Sequence, residues 1–356
     1  MIALRGAASW ASLAAMRRLV FLLVLLLAPT ARAAPIPIRV VVLTTFETGA
    51  SAAKLSGEFQ AWAERWPLTH RLKIPGIEGR VLYSDDGVLG VVTGMRARAR
   101  ESVAALILDP RLDLSHAYWL VAGIAGVDPR AGSIGSAAWA RYVVDADPIF
   151  EMDDREIPAG WSEGLWSLDT PRPGAKGKAP GSSGMVWKLN PGLVAWAYGL
   201  TRDVALPDSD LLRAARATYP SEPAALRPPS VFLGDDLGTT RFWHGARRTR
   251  WARDWVKLWT DGDGAFAMTE CEDQGILDVL DIFSREGRVD LARVLVLRTA
   301  SNYSRAGDGA PPDLRFAPGG AAAAFEAAYR VGAPVVKALV AGWDRYAATP
   351  PAGGAP

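Results

Sequence analysis

The residues best equipped for chemistry lie in two segments, Thr269 to Gly275 with Glu270, Cys271, Glu272 and Asp273, and Arg298 to Tyr303 with Ser301 and Asn302. A carboxylate accepts through two oxygens, so it suits a pair of adjacent hydroxyls. The same acids also suit the first turn of a solvated helix, where the dipole favours negative charge, and spacing alone leaves both readings open. An amide donates and accepts hydrogen bonds but delivers no proton, so Asn302 can recognise a polar ring edge without serving as an acid. Glu47, just after an apolar run, could activate water as a base, or be an exposed loop-tip acid. Phe46 beside it would line the same cavity. Phe242, Trp243 and His244 form the densest aromatic cluster outside helical spacing, fit to stack on a flat base or to pin a surface loop.

Much is excluded. The chain has no nucleophile elbow, phosphate-binding Walker loop or dinucleotide fingerprint. With three His and one Cys, no zinc set assembles, and neither metal nor cofactor is expected. The lone Cys271 also rules out an internal disulfide, so a large apolar core must hold the fold.

At the N-terminus Arg17 and Arg18 precede the apolar run Leu19 to Ala28, then Pro29 and the small-residue site Ala31 to Ala33. Residues 1–33 read as a signal peptide, because spanning a bilayer takes about 20 apolar residues. Export to the periplasm or the exterior is therefore expected. Removing these residues takes away Arg5, Arg17, Arg18 and Arg32 and no acid, so the formal charge falls from +2 to −2. That balance excludes nucleic acid as a partner.

The elements that must position these residues alternate. Ile38 to Thr45, Val81 to Tyr83, Leu89 to Gly94, Ala117 to Ala122, Ser133 to Asp145, Pro229 to Gly234 and Val294 to Leu297 read as strands. Gly57 to Trp66, Arg96 to Leu108, Asn190 to Leu200 and Arg250 to Leu258 read as helices, Asn190 capping and Pro191 opening its own. Trp251, Trp255 and Trp259 repeat at i, i+4, i+8, as a buried helix face does. Ala321 to Tyr346 reads as a closing helix with an interruption near Pro334. Pro, Gly and Lys dominate 147–185, which reads as a loop-rich insertion, a lid or more simply disordered. The whole predicts an α/β fold in one three-layer domain, 34–350, with a mixed central sheet between helices and a disordered tail at 351–356.

On these residues the chain carries a resemblance. Gly123 to Val127 after a strand, Glu270 to Ile276 after another and Arg298 to Asn302 after the last resemble the nucleoside phosphorylase and nucleosidase superfamily. Thr260 to Phe266, Thr269 to Gly275 and Phe242 to Gly245, with the export signal, look more narrowly like the purine nucleoside permease family. The likeness covers nearly all of residues 35 to 348.

The resemblance implies that Glu272 takes the sugar hydroxyls, that Glu270 flanks it, that Cys271 packs on the sugar and that Gly123 lines the pocket. It places Asn302 where the enzymes keep an aspartate acid, and Val121 and Ile124 where phosphorylases keep an Arg and a Ser. A purine nucleoside is the implied ligand and uptake the implied role, with nucleoside hydrolysis through Glu47 and Asn302 as the alternative and phosphorolysis disfavoured. A membrane uptake component and self-association are left open as partners.

Overall fold

Twelve strands among the described residues form the central sheet: β1 (Val40–Thr44), β2 (His70–Leu72), β3 (Val81–Tyr83), β4 (Val88–Val92), β5 (Tyr118–Val127), β6 (Ala137–Trp139), β7 (Tyr142–Asp145), β8 (Val186–Lys188), β9 (Val231–Leu233), β10 (Asp235–Gly238), β11 (Phe266–Glu270) and β12 (Val294–Tyr303). β1, β4 and β5 are buried along nearly their whole length, as β-branched runs without alternation predict. The computed structural model describes residues 34–48, 56–178, 184–310 and 317–353, and Ile36–Pro356 forms one compact unit. The expected signal segment and the last residues of the tail, 354–356, lie outside the described residues.

The strand order is β8-β7-β10-β11-β5-β1-β4-β3-β2, with β12 on the other edge of β5 and β6 and β9 continuing from it. β5 runs parallel to β1 and β12 but antiparallel to β11, so the sheet is mixed. Helices flank it: α1 (Gln60–Arg65), α2 (Ala97–Leu108), α3 (Pro191–Thr201), α4 (Asp210–Ala217), α5 (Ala246–Trp259), α6 (Asp273–Arg285) and α7 (Gly320–Ala341). α7 packs on β5 and β12, α2 on α6, and α5 on β10 and β11. This is the α/β arrangement that the sequence implies.

Local chemistry sets the boundaries. Asn190 Oδ1 accepts from the N–H groups of Gly192 (3.1 Å) and Leu193 (3.3 Å), capping α3 as expected. Trp251, Trp255 and Trp259 are all buried on α5. Ser133 to Asp145 gives two strands rather than one, because Asp235 Oδ1 captures the N–H groups of Arg141 and Tyr142, both at 3.1 Å, between them. The closing helix runs through Pro334 and stops at Gly342 instead. Pro334 is on the exposed face, where water can satisfy the carbonyl it frees. The 147–185 insertion is not structureless where it is described: Ile149–Glu151 pairs with Leu165–Ser167, and Leu165 is 2% exposed. No helix among the described residues is long and apolar enough to cross a membrane.

Trp62 of α1 is 1% exposed, lies edge-on to Tyr329 of α7 at 5.0 Å, and sits where a Cβ on Gly332 would come within 3.0 Å. Trp62→Ala is expected to lower the unfolding free energy by about 3–5 kcal/mol in urea titrations. A second prediction concerns Asp145, which closes β7 and accepts the N–H of Asp147 at 2.8 Å. Burial first, and then the Asp147 and Asp278 carboxylates, push its pKa from 3.8 up to about 7. The folded chain thus holds this proton more tightly than the unfolded one, and stability falls as pH rises from about 4 to about 7. Asp145→Asn, which keeps the acceptor, should remove that slope, a difference on the order of 3 kcal/mol between the ends of the interval when melting is followed against pH.

Candidate functional site

The site forms where β5 changes neighbour. Along one edge β5 pairs with β1 as far as Val121 and with β11 from Gly126, which leaves Ala122 to Ala125 facing a gap. Within it the N–H of Ile124 donates to Glu58 Oε1 at 2.7 Å, and its carbonyl accepts from Arg298 Nη1 at 3.2 Å. Glu58 Oε2 accepts from the N–H (2.6 Å) and the hydroxyl (2.7 Å) of Thr45, just beyond β1. Gly123 has to be glycine, since a Cβ there would stand 2.3 Å from Arg298 Nη1 and 2.6 Å from Glu58 Oε1.

Arg298 stands opposite Gly123 on β12 and is 1% exposed. Its Nε donates to Asp273 Oδ2 at 2.9 Å and its Nη2 to Asp273 Oδ1, while Nη2 also lies 3.5 Å from both Glu270 and Glu272. Burial alone would lower its pKa, yet Asp273, Glu270 and Glu272 hold it well above the ordinary value. Glu270 ends β11, and its Oε2 accepts the N–H groups of Glu272 and of Asp273, the latter at 2.8 Å. That arrangement caps the start of α6 from within the core. Glu272 Oε1 accepts the N–H of Arg96 at 3.4 Å, a residue held at φ 57° in the loop before α2.

The acids are therefore not a solvated helix start. Glu270, Glu272 and Asp273 are all buried, and with Glu58 and Asp236 they surround one guanidinium. Burial pushes the Glu272 carboxyl up to about 7, with Arg298 opposing and Glu58 adding to the rise. Burial likewise raises Glu58, against Arg298, and raises Glu270 well above the carboxylate range, Asp273 adding to it. The thiol of Cys271 is pushed up by burial and then by Glu272 and Glu270, so it is a packing group and not a nucleophile.

Asn302 stands apart. Ser301 is an extra residue in the ladder: Ala300 pairs with Ala125 and Asn302 with Gly126, a bulge that sets Asn302 on the face of Gly126 while Arg298 shares that of Gly123. Asn302 Oδ1 accepts from Ser301 Oγ at 2.9 Å and its Nδ2 donates to the Tyr303 carbonyl at 3.2 Å, which fixes the amide and leaves one N–H to spare. Among the described residues no hydrogen bond joins it to Glu270 or Glu272.

The remaining expected residues divide. Glu47 is not in the gap: Arg80 Nε donates to its Oε2 at 2.9 Å, and the Arg80 guanidinium covers the Phe59 ring. The acid that stands in the gap is Glu58, which the sequence reading missed. Its signal was an acid four residues before the buried Trp62, on the apolar face of the coming helix. The carbonyl of Phe46 accepts the Glu58 N–H at 3.2 Å, and its ring meets Phe325 edge-on. The loop with Phe242, Trp243 and His244 crosses the strand ends, Thr239 bonding to the Glu270 carbonyl and Gly245 to that of Ser304. Phe242 is 71% exposed, whereas Trp243 turns inward to Trp251 and Phe266, and His244 is half-buried. Val121 is buried and the Ile124 N–H is committed to Glu58, so these two positions offer a phosphate neither cation nor hydroxyl.

The guanidinium dictates a test. Arg298→Met would leave buried carboxylates without a counter-charge, and a loss of about 3–5 kcal/mol is expected in denaturant unfolding. Arg298→Lys, which keeps the charge but not the paired geometry, should lose less.

Known proteins place this arrangement. Residues 37–351 match the family described as purine nucleoside permease. A probable purine nucleoside permease of Schizosaccharomyces pombe is 30% identical over 261 residues, 70% of this chain and 75% of that protein. The purine nucleoside permease of Candida albicans is 26% identical over 306 residues, covering 81% and 73%. Among solved structures, the 5'-methylthioadenosine/S-adenosylhomocysteine nucleosidase of Helicobacter pylori superposes with a TM-score of 0.52 at 13% identity, covering 84% of this chain and 98% of its own. The futalosine hydrolase of the same organism gives 0.52 at 14% identity, covering 85% and 97%. At such identities these two show the shared fold alone. With its match running from the first strands to beyond the closing helix, the chain belongs to the purine nucleoside permease family.

Proposed function

We propose that the chain binds purine nucleosides and serves their uptake, as an exported protein directed by residues 1–33. The observation that supports this most is Glu272, buried beside Arg298 at the start of α6, with Asn302 at the far end of β12 as the second candidate contact. A carboxylate held by a cation and by backbone N–H groups is oriented for two sugar hydroxyls. An amide with one spare N–H suits an acceptor nitrogen on a purine edge, and it supplies no proton to a departing base. Recognition is thereby separated from cleavage. Delivery to a membrane component is part of the same proposal.

One observation favours a second reading, nucleoside hydrolysis: Glu58, with its raised pKa, sits in the gap next to Arg298 and could hold a water as base. Phosphorolysis has no such support.

Calorimetry with adenosine, guanosine and inosine should give binding to the wild type, weakened at least tenfold in Glu272→Ala, as expected when a charged hydrogen-bond partner is lost. No heat with any of them, or equal affinity in the variant, would sink the proposal. Chromatography of the same mixtures separates the two readings, since phosphate-independent release of free base that is lost in Glu58→Gln would establish the hydrolase.

A further inference from the structure

Behind the sugar-side acids lies a second set of oxygens that the nucleoside reading does not use. Asp236 of β10 is 1% exposed, and neither of its carboxylate oxygens meets a donor. Glu270 turns Oε2 to the start of α6, but its Oε1 is also without a partner. One ligand oxygen each from Asp236, Glu270 and Asp273 falls within 4.8 Å of the others, with all three side chains buried.

A neutral residue independently points at the same place. Gln274 is 4% exposed, and its Nε2 donates to Asp147 Oδ2 at 3.0 Å. A carboxylate only accepts, so the amide nitrogen must face Asp147 and the carbonyl oxygen must point the other way. That oxygen has no partner either. A Cβ built on Gly238 would stand 2.2 Å from Gln274 Oε1 and 2.6 Å from Glu270 Oε1, so the two acceptors converge over a residue with no side chain in the way. Two acceptors pressed together in the core repel unless something positive lies between or beside them.

From this convergence we infer that Asp236, Glu270, Asp273 and Gln274 hold a divalent cation of the hard, oxygen-binding class, such as Mg2+, Ca2+ or Mn2+. The donor set contains only oxygens, which is the preference of these ions and excludes a thiolate or imidazole metal. Two oxygens 4.8 Å apart can face each other across one ion that each meets at about 2.4 Å, so this spacing is on the scale of a hard-cation shell. The ion would brace the β10 and β11 ends against α6 from behind, and so set the Glu270–Glu272 turn, independently of which ligand the front of the site takes.

Because the residues are buried, exchange will be slow, and loading is best tested through refolding. The full chain is unfolded in chelator, refolded with or without Mn2+, desalted, and its metal counted by elemental analysis alongside melting temperature. The expected result is one Mn2+ per chain with a higher melting temperature, at least a tenfold loss of retained metal in Asp236→Asn, and a similar loss in the charge-neutral Gln274→Met. Asp261→Asn, at an exposed position paired with Lys176, should retain the full amount. Wild-type protein that keeps no more Mn2+ than Asp236→Asn and Gln274→Met overturns the inference. So does a wild type indifferent to metal in melting while Asp236→Asn is the more stable protein, since protons would then be filling the cluster. Nucleoside binding is not a readout in this experiment, so its failure and the failure of the nucleoside proposal are distinguishable.

Discussion

The structure turns on one buried guanidinium. Arg298 reaches from β12 across the bare backbone of Gly123 to the carbonyl of Ile124, and holds Asp273 and the neighbouring glutamates in its grip. Ion pairs in a protein interior rarely stabilise on balance, because desolvation consumes the Coulombic gain. What such a pair gives is position. With its charge spent on Asp273, Arg298 fixes where α6 begins, and the start of α6 decides where Glu272 points.

The gap in the β5 edge explains how charged side chains come to stand inside the sheet. A strand flanked on both edges has no main-chain groups to spare, but here β1 leaves before β11 arrives, and Glu58 and Arg298 take over the ladder bonds that a strand would have made. Side chains standing in for a strand bring titratable groups into the core of the sheet. The result is a stretch of sheet edge lined by charge where its neighbours are made of valine.

Much of this was legible in the sequence. The buried strands announce themselves as β-branched runs, but of the three motif segments expected just after strands only Glu270 to Ile276 leaves one; Gly123 to Val127 and Arg298 to Asn302 lie inside β5 and β12, where glycines and polar side chains masked the continuation. The three segments do meet, because Gly126 is flanked by Thr269 on one side and Asn302 on the other. What local pattern could not carry was pairing over distance. Glu58 enters the site through a side-chain bond to the Ile124 N–H, a partner that no neighbouring residue encodes, and Glu47, nearer the strand in sequence, is drawn off by Arg80. Asp236 lay unnoticed inside a strand, because burial of a lone acid becomes visible only when its neighbours are known. The break at Arg141 escaped for the same reason, since Asp235, which causes it, is remote in the chain.

The bulge at Ser301 changes how this strand can vary. Side chains along a strand alternate between faces, and an unpaired extra residue resets the alternation for everything after it. Substitution at Ser301 would act by degrees, through one hydroxyl that steadies an amide. Deletion would act on the backbone instead: Asn302 would follow Ala300 directly and keep its place opposite Gly126, but it would lose both the hydroxyl and the local twist that hold its amide. In this strand the ladder sets where the amide stands, and the extra residue sets how it is held.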